Sequence, residues 1–281
     1  MRFGLSIPNF GDHADARAVA ALGREAEAAG WGGVFVWDHL LAWNGNVVAD
    51  PWTILTAIAL ATERVRIGPM ITPLARRRPW VVARQVVTLD HLSNGRLTLG
   101  VGLGSPAHED FEVFGEPVDD RIRGQILDEA LVVLTGLLTG EPFSHDGARF
   151  HVDAVTFAPT CVQTPRVPIW VGGSWPIHAP FRRAARFEGV VPISVPDEHG
   201  DVLISIERMR EVVGFVREER RRAEGAFDPV FTGMMPEDRR EAAEMASELA
   251  SFGVTWWLVS PGYGEDPEVF AGWVRGGPPA R

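Results

Sequence analysis

Asp38 and His39 stand side by side at the end of the apolar run Val34–Trp37. A carboxylate next to an imidazole can tune a proton donor or acceptor near neutral pH. Successive strand residues point to opposite faces, so at most one of the two points inward unless the strand has already turned. The plain alternative for Asp38 is a structural hydrogen bond or a helix cap. Arg76, Arg77 and Arg78 form the densest basic spot of an acidic chain. They read either as a solvated loop or as a grip for a phosphate or carboxylate. Gly172-Gly173-Ser174 offers two glycine N–H groups and a hydroxyl close to a helix start, an arrangement that binds phosphate. Its alternative is an ordinary strand-to-helix turn.

Gly100-Val101-Gly102-Leu103-Gly104 lacks the G-x-G-x-x-G spacing of a dinucleotide site. Its missing side chains permit either close backbone packing or a flat cofactor laid against the backbone. Ser105 lacks the G-x-S-x-G context of a hydrolase nucleophile. The histidines form no H-E-x-x-H or H-x-H pattern and there is no cysteine pair, so no metal site is expected. His108-Glu109-Asp110 reads as loop, with scattered surface or pocket roles.

The elements that must carry these residues repeat one theme of apolar run, polar-faced helix, apolar run. Strands are expected at Arg2–Ile7, Val34–Trp37, Val65–Ile71, Arg96–Val101, Pro168–Val171, Gly189–Ile193, Val230–Met234 and Val254–Ser260. Helices are expected between them, the first over Asp15–Ala29 with Val19, Leu22, Ala26 and Ala29 on one stripe. Asp50-Pro51 marks another start, with Asp as cap and Pro in the first turn. The segment 140–166 fits no helix and reads as a hairpin excursion between strands four and five, expected on the loop-bearing face. Eight strand–helix units predict an α/β fold, a (β/α)8 TIM barrel in a single domain over residues 1–281. In such a barrel the chemistry sits at the carboxyl ends of the strands.

Composition narrows the function classes. Twenty-seven Lys and Arg against 37 Asp and Glu give a net charge of -10, which argues against a nucleic-acid partner. The single cysteine, Cys161, cannot form an internal disulfide, so a reducing, cytoplasmic compartment is expected. The start runs straight into a strand pattern, and no apolar run is long enough to cross a membrane.

The order and spacing of several stretches go further. Phe3–Pro8, Glu27–Trp31, Val36–His39, Asp50–Trp52, Thr62–Gly68, Leu89–Gly102 and Pro168–Gly173 together resemble the luciferase-like monooxygenase family, which includes coenzyme F420-dependent reductases and dehydrogenases. The resemblance covers nearly the whole chain. It implies an oxidoreductase that uses reduced FMN or F420 at the barrel mouth, for monooxygenation or hydride transfer on a small organic substrate. His39 looks like the family's pocket histidine and Asp38 like its acidic neighbour, the two expected catalytic residues. Met70, Ile71 and Thr72 look like the strand-three end that often holds a non-proline cis peptide under the ring. Gly102, Gly104 and Ser105 look like wall positions, and Gly172, Gly173 and Ser174 like the phosphate loop. Arg76 is expected to add positive potential at the rim with its two neighbours. Arg96 is similar to the family's arginine before strand four, with a structural role. Luciferase carries an arginine where Leu103 stands here, and this departure tips the cofactor expectation toward F420. A separate reductase and a homodimer are implied as partners. A non-catalytic flavin or small-ligand binding protein of the same fold is the alternative.

Overall fold

Short runs of Val, Ile, Phe and Trp make the strands, and most are buried on both faces, as a helix-covered parallel sheet requires. The computed structural model describes residues 1–42, 45, 47–196, 202–221, 223–262 and 265–279. The first half contains β1 (Arg2–Ile7), α1 (Ala16–Ala28), β2 (Gly33–Val36), α2 (Pro51–Ala61), β3 (Arg66–Pro69), β4 (Thr72–Pro73), α3 (Pro79–Leu92), β5 (Leu99–Gly102) and the short α4 (Ala107–Asp110). Next come α5 (Asp120–Leu138), β6 (Pro142–Asp146), β7 (His151–Thr156), β8 (Ile169–Trp175), α6 (His178–Ala184) and β9 (Gly189–Ser194). The chain continues with α7 (Ile206–Glu219), β10 (Asp228–Gly233), α8 (Arg239–Ser251), β11 (Trp256–Val259) and α9 (Pro267–Arg275).

The strands pair in the order β3-β2-β1-β11-β10-β9-β8-β5-β4, all in parallel. β3 and β4 are two halves of one barrel strand, separated by a cis bond between Met70 and Ile71. A parallel bridge from Ile67 to Leu97 links β3 to the residues leading into β5 and joins the ends of the sheet. The fold is therefore the expected (β/α)8 barrel. Its interior is packed with Phe35, Met70, Trp170, Val191, Val230, Trp256 and Leu258. A larger apolar layer lies between the strands and the helices. Helix starts follow the sequence signals: Asp15, Asp50, Asp119, Ser205, Asp238 and Asp266 each accept a backbone N–H at an N-cap.

Two polar residues secure the amino-terminal ends of the strands. Arg96 donates to the carbonyls of Ser93, Val65, Ala59 and Thr62 and to the Thr62 hydroxyl, a structural role. Glu27 accepts the N–H groups of Glu63, Arg64 and Val65. Burial pushes the Glu27 carboxyl up, but these bonds and Arg64 hold it below the usual range.

The excursion is the antiparallel hairpin β6–β7. It does not stand over the loop-bearing face. It leaves the end of α5 and packs along α3 and α5: Glu129 accepts the N–H groups of Arg149 and Phe150, and Phe150 meets Trp80 edge-on at 6.0 Å. Its return is held by Arg84, Asp90 and His91, which bond to residues 158–163. The reason is topological: a segment that follows a helix and precedes a strand lies on the connection opposite the strand carboxyl ends.

Candidate active site at the barrel mouth

The end of β2 builds the site. Trp37 continues the strand, its N–H bonded to Ile7 O and its indole Nε1 donating to Ser6 Oγ at 2.8 Å. Beyond it the backbone of His39 is clamped by the fully buried Asn9. That amide donates to His39 O and Ala49 O, both at 2.8 Å, and accepts His39 N–H at 3.1 Å. Clamped in this way, the imidazole meets Phe10 and Trp37 edge-on and brings Nδ1 to 2.9 Å from Asp110 Oδ2. The Asp110 side chain is 1% exposed. Its other oxygen accepts the N–H groups of Leu40 at 2.8 Å and Leu41 at 3.4 Å. Burial pushes the Asp110 carboxyl up, but the bonds from His39 and Leu40 and the charge of Arg76 outweigh it and hold the carboxyl below the usual range.

Asp38 points elsewhere. Its buried Oδ1 receives Arg77 Nη2 at 2.8 Å and Arg76 Nη2 at 3.1 Å, and Arg76 also donates to the Asp38 carbonyl at 2.5 Å. Arg76 lies 3.8 Å from Asp110 as well. Burial lowers the Arg76 pKa, with Asp38 and Asp110 working against it. The expected basic rim is thus corrected. Arg76 and Arg77 are consumed by internal carboxylates, because a buried carboxylate left unpaired is costly. Of the three, only Arg78 is exposed, and it stands at the N-cap position of α3 without a side-chain bond to the helix. The expected catalytic role of Asp38 is corrected too: its carboxylate holds the arginines while His39 turns to Asp110.

The glycines divide by face. A Cβ on Gly102 would lie 2.0 Å from Ile71 Cδ1, and one on Gly172 would lie 3.1 Å from Ile71 Cγ2, so Ile71 occupies the space both leave. Gly104 takes a left-handed φ of 84° and closes a turn against Pro73 and Phe111. Gly173 faces outward, where a Cβ would meet Pro180 of α6 at 2.2 Å. The expected phosphate turn at Gly172–Ser174 is therefore a strand, since β8 continues in register with β9 as far as Trp175 opposite Ser194. Trp170 fills the barrel interior, so by alternation Gly172 and Ser174 face the same interior. Ser105 is exposed and precedes a cis proline. Thr72 is fully buried in β4, and its hydroxyl has no partner. Among the described residues no cluster of His, Cys, Asp or Glu could hold a metal ion.

The known family described as luciferase-like monooxygenase matches residues 1–266. The chain belongs to that family. It is 36% identical over 205 residues to an F420-dependent glucose-6-phosphate dehydrogenase of Microbacterium testaceum, a match covering 70% of this chain and 58% of that one. An uncharacterized protein of Mycobacterium tuberculosis is 33% identical over 172 residues, covering 61% of this chain and 57% of that one. The chain thus spans under two thirds of the length of these curated relatives. Its fold matches a coenzyme F420-dependent tetrahydromethanopterin reductase from Methanopyrus kandleri with a TM-score of 0.78 at 18% identity, covering 98% of this chain and 97% of that one. The FMN-bound oxygenating component of a 3,6-diketocamphane monooxygenase from Pseudomonas putida matches with a TM-score of 0.74 at 14% identity, covering 98% and 96%.

The mouth of this luciferase-like barrel suits a flat redox ring. Met70 and Ile71 make an apolar floor, with the Ile71 side chain seated against Gly102 and Gly172. Ser6, Ser174 and Thr232 share the interior face, and the buried Thr232 hydroxyl has no partner, a polar atom suited to a ligand heteroatom. Asp110, Asn9 and Thr232 are residues that sequence reasoning missed. None sits in a motif. The one available signal is the placement of Asp110 in the loop after the glycine-rich strand, at the end of the barrel where His39 also lies.

Proposed function

We propose that the chain is an F420- or FMN-dependent oxidoreductase acting on a small organic substrate, with His39 exchanging a proton and Asp110 orienting it. The observation that carries this is the His39 Nδ1–Asp110 Oδ2 bond of 2.9 Å at the carboxyl end of the barrel. A carboxylate on Nδ1 fixes the tautomer and the ring plane, which assigns the proton exchange to Nε2. It also stabilises the imidazolium once a proton arrives. Asp38 pairs with Arg76 and Arg77 beside them, and Arg76 also lies 3.8 Å from Asp110. Met70, Ile71, Gly102, Gly172, Ser174 and Thr232 would hold the cofactor ring. When bound, the cofactor supplies the two-electron step, and the protein supplies position, dryness and the proton.

F420 is favoured over FMN. The support is that several curated relatives are F420-dependent dehydrogenases, together with the Leu103 departure, and not the arginine run. A partner reductase belongs to the FMN branch. A homodimer remains part of the proposal.

The test is a side-by-side titration with F420 and with oxidised and reduced FMN. Saturable binding of F420 and turnover with an organic donor or acceptor are expected. Binding without turnover across donors, acceptors and oxygen would make the chain a ligand-binding protein of this fold. Binding of neither cofactor would overturn the reading.

A further inference from the structure

Asp110 reaches His39 from the connection after β5, and little regular structure holds that connection in place. The helix α4 is four residues long and has no side-chain cap. The backbone bonds around Phe111 are local: its N–H goes to Ala107 O at 3.1 Å, and its carbonyl accepts the N–H groups of Phe114 and Glu116, both at 3.0 Å. The residue next to Asp110 ties the connection to the barrel. Phe111 is fully buried. Gly104 leaves space for its ring, since a Cβ there would lie 3.0 Å from Phe111 Cε2.

Two guanidinium groups lie against this ring. Arg123 of α5 places Cζ 4.6 Å from the ring centroid, and Arg76 places its own at 5.9 Å. The two arginine side chains are only 4% and 3% exposed, and the Nε of each has no hydrogen-bond partner. A cation stripped of water is drawn to an aromatic face more strongly than an exposed one. Arg123 also donates to Gly104 O at 2.9 Å and pairs with Asp120, while Arg76 is held by Asp38. Phe111 therefore joins the connection to α5 through Arg123 and to the Asp38–Arg76 pair through Arg76. A displaced ring carries Asp110 with it, because a single peptide separates the two. The 2.9 Å bond to His39 Nδ1 weakens steeply with such a displacement.

We infer that Phe111 and Arg123 are positioning residues for His39. The ring, held between the two arginines, sets the Asp110 carboxylate on Nδ1. This deepens the oxidoreductase reading above and rests on it for the effect on rate.

The test reads the His39 Nδ1 proton by NMR in isotope-labelled protein without cofactor. A proton held between an imidazole and a buried carboxylate resonates at low field and exchanges slowly, and His39→Ala identifies the signal by its absence. Phe111→Leu and Arg123→Met should move the signal upfield and speed its exchange by about tenfold, the scale of one desolvated cation–π contact. Arg123→Lys keeps a cation over the ring and should retain the signal. Phe157→Leu removes a ring that lies 4.0 Å from Arg84, away from His39, and should change nothing. Should Phe111→Leu fail to fold, the two Arg123 variants decide. Single turnover with saturating F420 or FMN gives a second reading. Phe111→Leu should slow it by up to about a hundredfold, the cost of a misplacement of about 1 Å. It should slow Asp110→Asn hardly further, because both changes act through one carboxylate. An unmoved Nδ1 signal in folded Phe111→Leu or Arg123→Met would overturn the inference. So would an equal loss in Arg123→Lys and Arg123→Met, or rate losses that simply add. Failure of both cofactors to bind would overturn the oxidoreductase reading instead, and the spectrum would still decide this one.

Discussion

His39 and Asp110 lie 71 positions apart in the chain, and the proposal depends on their meeting. Asp110→Asn keeps the shape but loses the charge. Turnover should fall while the substrate KM changes little, and the pH–rate profile should shift, which a purely structural loss would not produce. Folding lowers the Asp110 pKa, so its contribution to stability is present above the unfolded value and is lost as pH falls through the folded value. Denaturant midpoints measured from neutral to acidic pH should therefore fall less steeply in Asp110→Asn than in wild type. Asp38 belongs to a different category. Asp38→Ala strands Arg76 and Arg77 inside the protein and should cost about 3–5 kcal/mol. Arg78→Ala, at an exposed position, should cost within about 0.5 kcal/mol. Chemical denaturation of the two variants checks both. The sequence pointed to His39 because a strand end has a local signature. It did not point to Asp110, because nothing in His108-Glu109-Asp110 records which member turns inward. Nor did the arginine run record that two of its members are spent on Asp38.

At the scale of elements, strand alternation separates glycines that look equivalent in the sequence. Gly102 and Gly172 make room for Ile71, and Gly173 makes room for Pro180. Gly102→Ala should destabilise the protein by about 1–3 kcal/mol through overpacking. Ile71→Val removes the very atom a new Cβ would strike, so the double variant should recover most of that loss in thermal denaturation. No recovery would mean that another contact restricts Gly102. The strand β8 was legible only as far as Val171, because Gly-Gly-Ser has low strand propensity and resembles a turn. Pairing with β9 carries it on to Trp175. The starts of α1 and α2 were legible almost to the residue, since an Asp cap works through bonds that its neighbours in sequence supply.

At the scale of the molecule, the repeat of strand and helix was enough to read the barrel, because each unit has the same short-range periodicity. The position of the hairpin was not readable, since only the closed barrel decides which connection lies at which end. The hairpin packs on α3 and α5, away from His39, so stability and activity should separate there. Phe150→Ala, at a buried hairpin position, should cost about 3–5 kcal/mol yet leave cofactor affinity unchanged at a temperature where the variant is folded. The central claim is that His39 moves the proton in a cofactor-dependent reaction. Stopped-flow single turnover of wild type and His39→Ala at equal cofactor saturation tests it most directly. The rate in His39→Ala should be lowered by about a hundredfold to ten-thousandfold, with cofactor affinity nearly unchanged. An unaltered rate in His39→Ala, or a loss explained entirely by weaker cofactor binding, would contradict it.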